Sequence, residues 1–98
     1  MLPPATLNKP MHARRTETDI IATILSIALY DSQTKTYIMW KAALSYYQVQ
    51  AYLDYLLRTG LLRKNESSGR TLYKTTERGR EFIARYEALK ELMKIETV

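Results

Sequence analysis

Apolar residues recur along this chain with helical spacing, and polar punctuation divides them into blocks. Ile20, Ile21, Ile24, Leu25, Ile27 and Ala28 form one wide stripe, which predicts a helix over 16–30 with its stripe in a core. Thr16 is placed to cap it, and Asp19 adds an acid near the positive helix end. The polar run Asp31 to Lys35 predicts a turn. A short helix follows from Thr36 to Ala42, with Ile38 and Met39 as buried candidates. Trp40, the only tryptophan, is expected to pack, with its indole N–H donating to a carbonyl. Ala42, Ala43 and Leu44 then make a tight turn.

The stretch 44–62, LSYYQVQAYLDYLLRTGLL, organises the rest. Ser45 with Gln48 three residues on forms a capping-box pattern, and Leu44 precedes the cap where an apolar residue can staple the chain entry. Gly60 follows Thr59 as the residue just past a helix end should. Val49, Leu53, Leu56 and Leu57, with Tyr52 beside them, share one face. Tyr47, Ala51, Asp54 and Arg58 fall opposite, flanked by Gln48, Gln50 and Tyr55. Amides, tyrosines and an arginine around a small alanine suit base edges and phosphates; they also suit an ordinary solvated face. Asp54 is expected to pair with Arg58 four residues on.

After Gly60 the pattern changes. Leu61 and Leu62 lead into RKNESSGR and then TLYKT, which predicts a β-hairpin turning within Asn65 to Gly69. Leu62 and Tyr73 are expected to face the helices. Arg63, Lys64, Arg70 and Lys74 rim the hairpin, where they suit a sugar-phosphate backbone or simply guard an edge. A final helix is expected from Thr76 to Ile95, with Gly79 permitting close packing. Phe82, Tyr86, Leu89 and Met93 form a heptad seam, widened by Ile83 and Leu92. That seam either meets a second copy or folds back on its own domain.

Composition adds direction. The chain has 98 residues, 46% hydrophobic and without cysteine, with a net charge of +5. This fits one folded domain with a single core and a reducing interior. Lys9, Arg14 and Arg15 lie in a proline-containing start that has no acid, and Arg63, Lys64, Arg70, Lys74, Arg78 and Arg80 cluster after the central stretch. A basic small domain with clustered charge points to an acidic partner such as nucleic acid. No apolar run is long enough for a membrane span, and the start lacks the apolar region of a secretory signal.

The order helix, helix, helix, basic hairpin, long helix is the winged helix-turn-helix arrangement, an α+β and mainly helical fold. Ala42 or Ala43 with Leu44, Ser45 and Tyr46, then Tyr52 and Leu53, Gly60 with Leu61 and Leu62, and Tyr73, Thr76 and Gly79 carry a more specific likeness. The chain resembles the small winged helix-turn-helix transcriptional regulators of archaea. Related chromatin proteins dimerise through a C-terminal antiparallel coiled coil, beside which the last helix here is short. The resemblance implies a dimer with paired recognition helices and wings.

The expected organisation is a flexible basic arm over 1–15, a winged helix-turn-helix DNA-binding domain over 16–80, and a dimerisation helix over 76–98. Double-stranded DNA and a second copy are the expected partners, in the cytoplasm with the nucleoid. The expected recognition-helix contacts are Ser45, Tyr47, Gln48, Gln50, Ala51 and Arg58. Lys41, Arg63, Lys64 and Arg70 are expected on the flanks and wing, with Phe82, Tyr86, Leu89, Leu92 and Met93 in the dimer interface. Binding without sequence selectivity, as an architectural protein, and a protein-interaction role are the alternatives. No catalysis, metal, cofactor or small-molecule ligand is expected. The single His12 lies in the arm, the glycines are scattered, and no serine has a base partner.

Overall fold

The computed structural model describes residues 15–94; all but the last residue of the expected arm over 1–15 and the helix end at Ile95 lie outside them. In chain order the elements are α1 (Glu17–Ile27), α2 (Lys35–Lys41), α3 (Tyr46–Arg58), β1 (Leu62–Ser67), β2 (Arg70–Thr75) and α4 (Glu77–Leu92). This is the expected winged helix fold.

Both expected capping features at the starts of α1 and α3 are present, and Asp19 does more than complement a dipole. It closes a capping box: Asp19 N donates to Thr16 Oγ1 at 3.0 Å and Thr16 N donates back to Asp19 Oδ2 at 3.1 Å. Ser45 and Gln48 make the same reciprocal pair at 2.9 and 3.1 Å. α1 ends at Ile27 instead of reaching Tyr30. The carbonyls beyond it are claimed by β2: Thr75 N donates to Ala28 O, and Lys74 Nζ donates to Leu29 O and Tyr30 O, each at 2.8 Å. Lys74 is therefore a structural cap and not a rim charge. α2 starts earlier than expected because Thr34, not Thr36, is its cap, accepting from Tyr37 N at 3.1 Å.

α2 and α3 end in the same way. After α2, Leu44 N donates to Met39 O at 3.0 Å and Ala43 N to Trp40 O at 3.2 Å; after α3, Leu61 N donates to Leu56 O at 3.0 Å and Gly60 N to Leu57 O at 3.2 Å. These paired bonds are Schellman motifs, which need a left-handed residue just past the helix. Gly60 takes that place at φ +79°, whereas at the first site Ala43 takes it at φ +58°. A Cβ makes that conformation costly, so the turn that sets the angle between α2 and α3 is held under strain.

β1 and β2 pair antiparallel from Leu62 opposite Thr75 to Ser67 opposite Arg70. The turn is Ser68 and Gly69, at φ +53° and +77°, the signature of a type I′ turn. Asn65 and Glu66, expected in the turn, extend the strand. Gln33 pairs with Tyr73 on the other edge of β2 through bonds of 2.7 and 2.8 Å, tying the wing's base to the turn before α2.

Ile24, Leu25, Ile38, Val49, Leu53, Leu56 and Leu62 are the large side chains at the centre of the core. Trp40 corrects an expectation: it is 71% exposed, and its N–H reaches no carbonyl among the described residues. α2 has 7 residues and buries one narrow face through Ile38; Trp40, two residues on, points about 200° away. Tyr37 is exposed beside it, the rings 6.2 Å apart. Gly79 does permit close packing, since a Cβ there would come within 2.6 Å of Thr75 Cγ2 and meet the Leu61 carbonyl.

α4 has two parts. Phe82 and Ile83 pack against the core, and the Tyr86 hydroxyl donates to Asp19 Oδ1 on α1. Beyond that bond Leu89, Leu92 and Met93 are exposed, Leu92 to 84%. The fold-back alternative therefore describes the first half of the seam only. Among the described residues no helix is long and apolar enough to cross a membrane.

Candidate nucleic-acid interface

α3 positions the site. Its inner side chains fix its rotation in the core, and that leaves Tyr47, Gln48, Ala51, Asp54, Tyr55 and Arg58 exposed on the opposite side. Tyr47 is 84% exposed and meets Tyr46 edge to face with centroids 6.0 Å apart. A large aromatic left in water at the start of a helix, on the same side as an exposed arginine about three turns on, has no place in the core among the described residues.

Not every expected contact is free. The Ser45 hydroxyl and the Gln48 Oε1 are both spent on the capping box, leaving Gln48 its amide N–H groups. Gln50 lies on the flank towards α2. Its Oε1 accepts from Lys35 Nζ at 2.6 Å, and its Nε2 donates to Asp54 Oδ1 at 3.1 Å. Asp54 thus bonds to Gln50 and not, as expected, to Arg58. Lys35 also lies 5.0 Å over the Tyr46 ring. Lys41 is exposed at the end of α2, 5.9 Å from the Trp40 ring centre.

The register divides the wing. Side chains directly opposite share a face, so Lys64 stands with the buried Tyr73, while Arg63 stands with Lys74, and Arg70 with Ser67 on that second face. Arg63, Lys64 and Arg70 are all exposed, but Arg63 and Arg70 alone form one front.

Two further cations serve the scaffold, which the sequence did not reveal. Arg15, counted with the arm, donates from its guanidinium to Ala42 O at 2.7 Å and Ala43 O at 3.2 Å, capping the strained turn. Arg78 Nε donates to Thr59 O at 3.0 Å, doing the same for the end of α3. Tyr86 and Asp19 perturb each other. The Tyr86 hydrogen bond and then the Thr16 backbone hold the Asp19 carboxyl below its ordinary value. Burial, then Asp19, pushes the Tyr86 phenol up to about 12.

Three helices closed by a two-stranded wing, with one helix presenting an unpacked polar and aromatic face, define the winged helix-turn-helix class. The family model for winged helix-turn-helix proteins matches residues 14–94, and the chain belongs to that family. An uncharacterised protein of Methanocaldococcus jannaschii is 33% identical over 95 residues, covering 95% of this chain and 91% of the relative. Among solved structures, Sso10a-2, a DNA-binding protein from Sulfolobus solfataricus, superposes with a TM-score of 0.72 at 25% identity, covering 81% of this chain and 82% of that one. The transcriptional regulator BldR, also from Sulfolobus solfataricus, superposes at 0.60 with 19% identity over 81% of this chain and 63% of its own, a likeness of fold.

Proposed function

We propose that this protein is a DNA-binding transcriptional regulator that acts as a homodimer. α3 enters the major groove, and the wing holds the flanking backbone through Arg63 and Arg70, with Lys64 on its other face and Lys41 at the end of α2. The observation that carries this reading is the outer face of α3, exposed, aromatic and polar, and without a packing role in the domain. Its setting supports it: a basic hairpin on the same fold as a DNA-binding protein of Sulfolobus solfataricus. Such a function places the protein on the chromosome in the cytoplasm.

The outer end of α4 supports the dimer. Leu89, Leu92 and Met93 leave an apolar stripe in water, and a second copy covers it most simply. Sedimentation should give a dimer that Leu92→Asp with Met93→Asp converts to a folded monomer; a monomeric wild type would remove this part. Binding itself is tested by fluorescence anisotropy with a random-sequence duplex at several salt concentrations. Micromolar affinity that falls steeply with salt is expected, and no binding at low salt would overturn the reading. The exposed Tyr37 and Trp40 pair favours a second reading, a protein-interaction role, which that negative result would promote. Equal affinity for all duplexes would instead mark an architectural protein.

A further inference from the structure

Asp54 is an acid on the exposed face of α3. It stands four residues before Arg58, a spacing at which opposite charges meet on a helix, yet among the described residues no ion pair joins it to any cation. Its side-chain bond comes instead from Gln50 Nε2, 3.1 Å from Oδ1. Gln50 is itself held by Lys35, whose Nζ donates to Oε1 at 2.6 Å, and Lys35 is held over the Tyr46 ring at 5.0 Å. A continuous brace thus runs from α2 across the flank of α3 to one carboxylate on its exposed face.

Bracing of this kind fixes the direction in which a polar group presents itself. Oδ1 is engaged by Gln50, and Asp54 is exposed, so Oδ2 is the oxygen left to accept from a partner. A carboxylate on a surface that meets phosphates weakens binding to every sequence alike, a cost that a discriminating contact would offset. Ionised, it accepts hydrogen bonds and donates none. The major-groove edge offers donors only at exocyclic amino groups, and cytosine N4 is the characteristic partner of an aspartate.

We propose that Asp54 is a specificity-determining residue that accepts a hydrogen bond from a cytosine N4 amino group, with Gln50 and Lys35 as the residues that position it. This rests on the duplex-binding reading above. It assigns the selectivity of α3 to an acid, beside the glutamines that composition alone singles out.

The test is selection from a randomised duplex library with the full-length protein, wild type and Asp54→Asn, followed by anisotropy on the enriched duplexes. The wild type should enrich cytosine at one fixed position in each half-site. Asp54→Asn keeps an oxygen for Gln50 and turns an amide NH2 outward. It should lose roughly tenfold or more of the cytosine preference, move towards a base with an acceptor there, and bind the random pool at least as tightly as before. Gln50→Leu and Lys35→Met should weaken preference at that same position and leave the others unchanged, a result that general loosening of the domain would not give. Wild-type and variant selections with the same consensus would overturn the assignment. So would wild-type binding with no enriched position, although DNA binding would then stand. Absence of wild-type binding at low salt would remove the duplex reading and this inference with it.

Discussion

The two faces of α3 have the same backbone and the same length, yet they answer to different constraints. On the inner face Val49, Leu53 and Leu56 are buried, and each is accounted for by the space it fills. On the outer face Tyr47, Ala51, Asp54, Tyr55 and Arg58 stand in water, and none of them belongs to the core. A helix that only closed a core would carry charged and amide side chains there and leave no large aromatics in water. The difference separates what the sequence must do to fold from what it carries for a partner.

The sharpest way to break this contrast is to truncate one side chain from each face. Leu53→Ala should cost about 3 kcal/mol of stability through lost burial and a cavity. Tyr47→Ala should shift stability by no more than about 0.5 kcal/mol while weakening duplex binding. Urea titration and anisotropy on both variants check this, and a large stability loss at Tyr47 would erase the distinction. The next largest effect concerns the ends that hold α3 in place. Gly60→Ala forces a Cβ into the left-handed conformation and should destabilise by about 1 kcal/mol, whereas Ala43→Gly releases such strain and should stabilise by a similar amount. Thermal melts should show shifts of opposite sign.

Arg70→Ala tests the outer surface by charge alone. It should reduce the salt slope of binding by about one unit and weaken all sequences alike, with stability unchanged. The smallest effect lies in the link between α1 and α4. Because the Asp19 carboxyl is held below its ordinary 3.8, its contribution is present above that pH and is lost as the pH falls through the lowered value. Because the Tyr86 phenol is raised from 10.0 to about 12, its contribution is present below 10 and fades as the pH rises towards 12. Both groups are partly exposed, so the effect is small. Tyr86→Phe should flatten both limbs of the stability–pH profile and differ from wild type most near neutrality.

Local signals were legible in the sequence, and distant ones were not. Ser45 with Gln48 and Gly60 mark the ends of α3 through neighbours three residues away or fewer, and the apolar stripes of α1 and α3 gave the core. The start of α2 reads one residue late in the sequence, at Thr36, because the cap is Thr34, which follows Gln33 where the chain pairs with Tyr73 of β2. Trp40 misled because hydrophobicity does not reveal how narrow a face α2 buries. Lys74, Arg15 and Gln50 misled for a shared reason. Their partners are Leu29 and Tyr30, Ala42 and Ala43, and Lys35, all brought to them by the tertiary fold. At the site, the outward residues of α3 could be read from periodicity, but the commitment of Gln48 to a cap and the brace on Asp54 could not.

The central claim is that the outer face of α3 and the front of the wing form one DNA surface. Amide chemical-shift mapping during titration with a duplex tests it most directly. Shifts concentrated at Tyr47, Ala51, Asp54 and Arg58 and at Arg63 and Arg70, with Leu89 to Met93 unmoved, are the predicted result. Shifts confined to α1 and α4, or to Tyr37 and Trp40 alone, would contradict it.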